Sequence, residues 1–100
     1  MEKLNIVWSV TAIKKLDEIL NFYSERNQSD TYSKKLYEKL MKDVRLLART
    51  PKIGFKTRLT NVHGLIIDNF IIYYELKNKI VIILTVWDCA QNPETNIFLE

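Results

Sequence analysis

Two runs, Phe70 to Leu76 (FIIYYEL) and Ile80 to Trp87 (IVIILTVW), constrain this chain more than anything else in it. Both are rich in β-branched and aromatic residues, and only Lys77-Asn78-Lys79 separates them, which is the pattern of an antiparallel β-hairpin. Side chains alternate across a strand, so Phe70, Ile72, Tyr74 and Leu76 share one face while Ile71, Tyr73 and Glu75 share the other. By the same rule Ile80, Ile82, Leu84 and Val86 oppose Val81, Ile83, Thr85 and Trp87. Neither strand has a polar face. The hairpin therefore belongs in the middle of a sheet, and both faces of that sheet need cover.

The remaining chain offers cover for one face. Asn5 to Ser9 is a short strand carrying Ile6, Val7 and Trp8. Ser9 or Thr11 then caps a helix, since a hydroxyl accepts from the free N–H groups of the first turn. Its apolar stripe is Ala12, Leu16, Ile19, Leu20 and Tyr23. After the polar turn Asn27 to Asp30, Ser29 or Asp30 starts a second helix with Leu36, Leu40, Val44 and Leu47 at helical spacing, widened by Tyr37, Met41 and Ala48. Pro51 lacks the N–H a helix interior requires and disfavours helix at Thr50, so the helix is expected to end there. A short strand around Lys56 to Leu59, another at Leu65 to Ile67 and a turn at Asp68-Asn69 lead into the hairpin. The expected class is α+β: an N-terminal strand, a helical hairpin, then a three-stranded antiparallel meander, with the helices on one face. The second face is left to loops, to the tail residues Ile97, Phe98 and Leu99, or to a partner.

One hundred residues make a single domain spanning 1–100. The longest apolar run, Ile80 to Leu84, is far too short to cross a bilayer, and no signal-peptide core follows Met1, so a cytoplasmic protein is expected. One Cys and one His leave no internal disulfide and no ligand set for zinc, and two glycines in the whole chain argue against a phosphate-cradling loop; neither metal nor cofactor is expected. The net charge of +3 is unevenly placed: Lys42, Arg45, Arg49, Lys52, Lys56 and Arg58 face a lone acid, Asp43. On the helix such residues solvate an outer face. Lys52, Lys56 and Arg58 lie beyond it and make a candidate polyanion contact.

No strong enzyme motif is present; one chemistry these basic residues could serve is RNA cleavage. A base removes the 2′-OH proton, cations stabilise the phosphorane charge and an acid protonates the leaving oxygen. Lys52, Lys56 and Arg58 supply cations, and His63, with an unperturbed side-chain pKa near 6.5, is the proton-transfer candidate. Set against this, a lone His in a strand-edge loop is often a surface residue without a role. Asp88, closing the last strand, suits local backbone bonding better than catalysis. Tyr73, Tyr74, Trp8 and Trp87 are core residues first, and Cys89 is a packing residue before it is a nucleophile.

Taken in order, Val7-Trp8-Ser9 with Ala12, Leu16, Ile19 and Tyr23, the second helix ending at Pro51 with Gly54 after it, the strand Phe70 to Glu75, and the closing stretch Ile83 to Pro93 resemble the RelE/ParE toxin superfamily of bacterial type II toxin-antitoxin systems. The resemblance spans nearly the whole chain. It implies a helical hairpin on a curved antiparallel sheet, a cognate antitoxin as partner in a hetero-oligomer, and one of two targets. Toxins like RelE cut messenger RNA on the ribosome, which would place Lys56, Arg58 and His63 at the catalytic site and Arg49, Lys52, Gln91 and Asn92 in contact with RNA. Toxins like ParE poison DNA gyrase without nuclease chemistry. Two positions depart from the family pattern: Ala90 stands where an Arg is usual in the closing motif, and His63 where an Arg is frequent before the central hairpin, so two guanidinium groups suited to phosphate are missing, and a third alternative is a catalytically attenuated member that keeps only antitoxin binding.

Overall fold

Strand β1 (Asn5–Trp8), helix α1 (Val10–Asn27), helix α2 (Thr31–Arg45), and strands β2 (Phe55–Lys56), β3 (Val62–Ile67), β4 (Phe70–Lys77) and β5 (Ile80–Asp88) follow one another in the computed structural model, which describes residues 3–91. The strands form one sheet in the order β1-β5-β4-β3-β2, with β1 parallel to β5 and every other pair antiparallel. The β3-β4-β5 meander, the helical hairpin and the N-terminal strand are those expected. The parallel seam is made possible by the two helices, which carry the chain across before it returns to β5.

Local chemistry accounts for the junctions. Ser9 caps α1, its Oγ accepting from the Ala12 N–H at 3.0 Å and donating to the Leu84 carbonyl at 3.1 Å. Asp30 occupies the cap position of α2 but makes no side-chain cap bond; Ser29 Oγ accepts from the Thr31 N–H instead. The second helix ends earlier than expected, at Arg45, and tightens into a single 3₁₀ turn at Leu46–Ala48, so that Leu47 and Ala48 still reach the core before Pro51. At the hairpin tip Asn78 and Lys79 both have positive φ, 49° and 63°, as a two-residue type I′ turn requires. Lys77 belongs to the strand, paired with Ile80.

The helices bury Ala12, Leu16, Ile19 and Tyr23 from α1 and Leu36, Leu40 and Val44 from α2 against Ile67, Phe70, Ile72, Tyr74, Val81, Ile83 and Val86 of the sheet. Strict alternation fails in β5. A bulge between the Tyr73–Thr85 and Tyr74–Ile83 pairs leaves Leu84 without a partner, so Val81, Ile83, Val86 and Asp88 face the helices while Thr85 and Trp87 face away. The far face is less bare than the sequence suggested. The short strand expected around Lys56 to Leu59 is instead Phe55–Lys56, and Phe55 lies opposite Gly64 with its ring meeting Tyr73 edge-on at 6.2 Å. Ile71 and Tyr73 are buried, whereas Ile66 and Val7 at the margins are 65% and 48% exposed. The tail residues Ile97, Phe98 and Leu99 lie outside the described residues. Among those described, no helix is long and apolar enough to cross a membrane.

A Cβ at Gly64 would sit 2.3 Å from the Phe55 ring, so the ring must leave the far face to admit one. Gly64→Ala should therefore cost about 1–3 kcal/mol by overpacking, read as a lowered urea midpoint. Ser9→Ala removes the cap and the tie to β5 together and should cost about 1–2 kcal/mol, with both variants keeping the wild-type far-ultraviolet circular dichroism.

Candidate functional site

The basic residues meet at the β2 edge of the sheet. Lys56 pairs with His63, and His63 with Tyr74, so the three side chains share the helix-side face. The turn before β2 is pinned over that edge by Tyr74, whose hydroxyl donates to the Pro51 carbonyl at 2.8 Å and accepts from the Gly54 N–H at 3.0 Å. Gly54 has no room for a side chain: a Cβ would meet the Gly64 carbonyl at 2.6 Å. The loop between β2 and β3 is fixed by Thr57, whose Oγ1 donates to the Val62 carbonyl and accepts from the Leu59 N–H. Between these supports opens a cleft of about 430 Å³, lined by Lys52, Lys56, Arg58 and His63 together with Thr57, Asn61 and their neighbours.

His63 is not the surface loop residue its place in the sequence suggested. It lies within β3, is 7% exposed and stacks on Tyr74, with ring centroids 5.5 Å apart and planes 19° from parallel. Its Nδ1 is buried and finds no hydrogen-bond partner in the protein. An unpaired buried nitrogen of this kind costs about 1–3 kcal/mol. Lys52 and Lys56 take part in neither of the ion pairs among the described residues, Lys15–Glu18 and Lys39–Asp68. Among the described residues that line the cleft there is no carboxylate.

The other predicted site residues are elsewhere. Arg49 is exposed just after the 3₁₀ turn and does not line the cleft. Ala90 and Gln91 follow β5, whose last residue, Asp88, pairs with Phe70, whereas His63 is level with Tyr74. At about 3.4 Å per residue, that puts Ala90 on the order of 15 Å along the sheet from His63. Asn92 lies outside the described residues. The closing segment is organised by Asp88, which is fully buried. Its Oδ2 accepts from the Tyr23 hydroxyl at 2.8 Å and from Gln91 Nε2 at 2.7 Å, and its Oδ1 from the backbone N–H of Ala90 and Gln91. Asp88 thus does what an acid closing a strand was expected to do. Sequence reasoning missed its partner, Tyr23, because the bulge that turns Asp88 toward α1 leaves no mark in the alternation.

Burial, and then the hydrogen bond and charge of Asp88, push the Tyr23 hydroxyl up to about 12, and burial with the same charge raises Tyr32. Burial and Asp88 also raise the Cys89 thiol, which keeps it protonated and fits a packing role. Burial raises Tyr74 too, opposed by its bond from Gly54.

A small α+β toxin of the type II toxin-antitoxin class accounts for the helical hairpin, the five-stranded sheet and the edge cleft together. A family model described as the ParE toxin of the type II toxin-antitoxin system parDE matches residues 6–93, and the chain belongs to that family. In fold it is similar to a chain of the chromosomal ParDE system from P. aeruginosa, with a TM-score of 0.75 and 19% identity over 84% of this chain and 94% of that one. It is also similar to a chain of the RelBE2 toxin-antitoxin complex from Mycobacterium tuberculosis, with a TM-score of 0.60 and 16% identity over 88% of this chain and 93% of that one. No curated protein matches in sequence. The protein is a toxin of a type II toxin-antitoxin system.

The raised Tyr23 hydroxyl sets an alkaline limit. The unfolded chain loses this proton near pH 10 and the folded one near 12, so Tyr23 contributes its full stability below pH 10 and loses it as pH climbs toward 12. Denaturant titrations between pH 9 and 12 should show stability falling with pH, and Tyr23→Phe should remove part of that slope while lowering stability at neutral pH, where the bond to Asp88 is lost.

Proposed function

We propose that this toxin acts by docking on its target rather than by cutting RNA, with DNA gyrase as the target and a cognate antitoxin holding it inactive in the cytoplasm. The observation that carries this reading is the separation of the residues a nuclease would need together. Lys52, Lys56, Arg58 and His63 gather at one edge of the sheet, whereas Ala90 lies far along it with no functional group. General acid–base catalysis needs its groups within hydrogen-bond reach of one scissile phosphate.

A surface suited to docking lies on the other side of the helical layer. Trp8, Ile13, Leu16, Leu20, Tyr37 and Met41 line an apolar groove of about 390 Å³ between α1 and α2. Ile13 and Tyr37, which line it, are 54% and 47% exposed. Large exposed apolar side chains grouped in this way favour a protein partner. The basic cleft with its imidazole favours the alternative, ribosome-dependent messenger RNA cleavage, and one experiment separates the two. Induced expression should arrest growth, and the purified chain should inhibit gyrase supercoiling. Ile13→Asp with Tyr37→Asp should weaken that inhibition at least tenfold without unfolding the protein. Cuts at the ribosomal A site, whether with the native chain or only with Ala90→Arg, and no effect on gyrase, would return the reading to a ribonuclease, active or attenuated.

A further inference from the structure

We propose that the pocket at the turn end of the helical hairpin receives an acidic side chain of a protein partner, with Arg26 as its charged contact. The pocket has a volume of about 270 Å³ and is lined by Tyr23, Arg26, Asn27, Tyr32, Asn69 and Ala90. Among the described residues it shares none with the docking groove or the basic cleft. At about 1.5 Å per residue, Arg26 stands on the order of 20 Å along α1 from Ile13 of the groove. The proposal is therefore independent of how the toxin reaches its target.

The walls are fixed before any ligand arrives. Tyr23 is held by its bond to Asp88, which also accepts from the Ala90 N–H at 2.9 Å. The Cys89 N–H donates to the Asn69 carbonyl, again at 2.9 Å, and so ties the β3–β4 turn to the end of β5. Phe22 and Tyr32, 40% and 42% exposed, both pack edge-on against the Tyr23 ring, with centroids 4.9 Å and 5.2 Å away. Such walls lose little freedom on binding, and Tyr and Arg are among the residue types that dominate hot spots at protein interfaces.

The charge of the ligand follows from the lining. Arg26 is the one charged residue among the described residues that line the pocket, and it takes part in neither ion pair described, Lys15–Glu18 or Lys39–Asp68. Burial raises the Tyr23 and Tyr32 hydroxyls and the Arg26 charge opposes that rise in each, which places the guanidinium near both rings. The two acids that act on these phenols are already engaged: Asp88 accepts four bonds, and Asp68 pairs with Lys39 at 3.7 Å. The lining thus offers an incoming group one planar guanidinium, the Tyr32 hydroxyl and two carboxamides, all able to donate. A carboxylate matches this set. It is planar, carries one charge, accepts both N–H groups of the guanidinium fork and keeps lone pairs for the neutral donors. A phosphomonoester, with about two charges at neutral pH, would find no second cation in the lining. An acidic side chain also suits a chain of net charge +3, whose field draws acidic proteins toward it.

The full-length protein, labelled with nitrogen-15, can be titrated with a capped pentapeptide that carries one central glutamate and with its glutamine counterpart. The Arg26 Nε–H and the side-chain amides of Asn27 and Asn69 should shift saturably with the glutamate peptide, and the glutamine peptide should bind about tenfold more weakly. Arg26→Lys, which keeps the charge but loses the fork, should weaken binding several-fold, Arg26→Gln should abolish it, and Lys14→Ala, elsewhere on α1, should leave it unchanged. Ala90→Leu, which fills the pocket without touching a charge, should weaken it about tenfold. An equal response to the two peptides, no response to either, or equal losses in Lys14→Ala and Arg26→Gln overturns the site. A single-stranded oligonucleotide that displaces the peptide from these signals at lower concentration makes the pocket a nucleic-acid contact and overturns the protein partner. Glu94, four residues beyond Ala90 in sequence, supplies the last control. Shifts of the same signals in the ligand-free Glu94→Gln variant assign the pocket to the chain's own carboxylate and likewise overturn the protein partner.

Discussion

The bulge at Leu84 sets the phase of everything that follows it in β5. Before it, Val81 and Ile83 face the helices; after it, Val86 and Asp88 do, where an unbroken strand would present Thr85 and Trp87. The extra residue is not left to itself. Its carbonyl accepts from the Ser9 hydroxyl, the Ile83 carbonyl accepts from the Ser9 N–H at 3.0 Å, and the same hydroxyl caps α1. One serine therefore fixes where α1 begins, how β1 meets β5 and which face of β5 the helices cover.

That phase gives the sheet two unlike ends. At the end of β5 the polar groups are fully paired: Asp88 accepts from a phenol, an amide side chain and two backbone N–H groups, and so a buried carboxylate is tolerated. At the β2 edge the pairing is incomplete. Tyr74 spends its hydroxyl on the turn above it and offers His63 only the face of its ring. The closed end reads as structure, and the open end keeps one buried imidazole nitrogen unpaired.

How much of this was legible in the sequence depends on the range of the interaction. Helical spacing located both stripes, and β-branched runs located β4 and β5, because these patterns follow from local geometry and one apolar layer. The bulge was hidden because β5 is apolar at nearly every position, so a shift of one residue changes no letter in the pattern. For the same reason Tyr73 and Tyr74 could not be sorted, and both prove fully buried, on opposite faces. The basic residues could be named as a group, since three of the four lie within a few positions of a turn. His63 could not be placed, because its burial depends on pairing with Lys56 on one side and Tyr74 on the other. Ala90 and His63 were joined in one site by likeness to a family, and the strand lengths set them apart.

The helical layer has a second consequence for how such a toxin meets a protein. Ser33 Oγ donates to the Leu20 carbonyl at 2.8 Å, and Ser24 Oγ donates to Ser33 Oγ at 2.8 Å, so the two helices are stitched together beside the groove they form. A partner entering between Trp8, Leu20, Tyr37 and Met41 does not have to pry α1 from α2. The shape it meets already exists, and the ordering cost that usually reduces affinity has been met during folding. Because Ser9 ties the first turn of α1 to β5, the groove also keeps its angle to the sheet. The residues that hold the sheet in phase are thus the ones that hold the docking surface rigid, and a substitution that relaxes the first would be felt in the second.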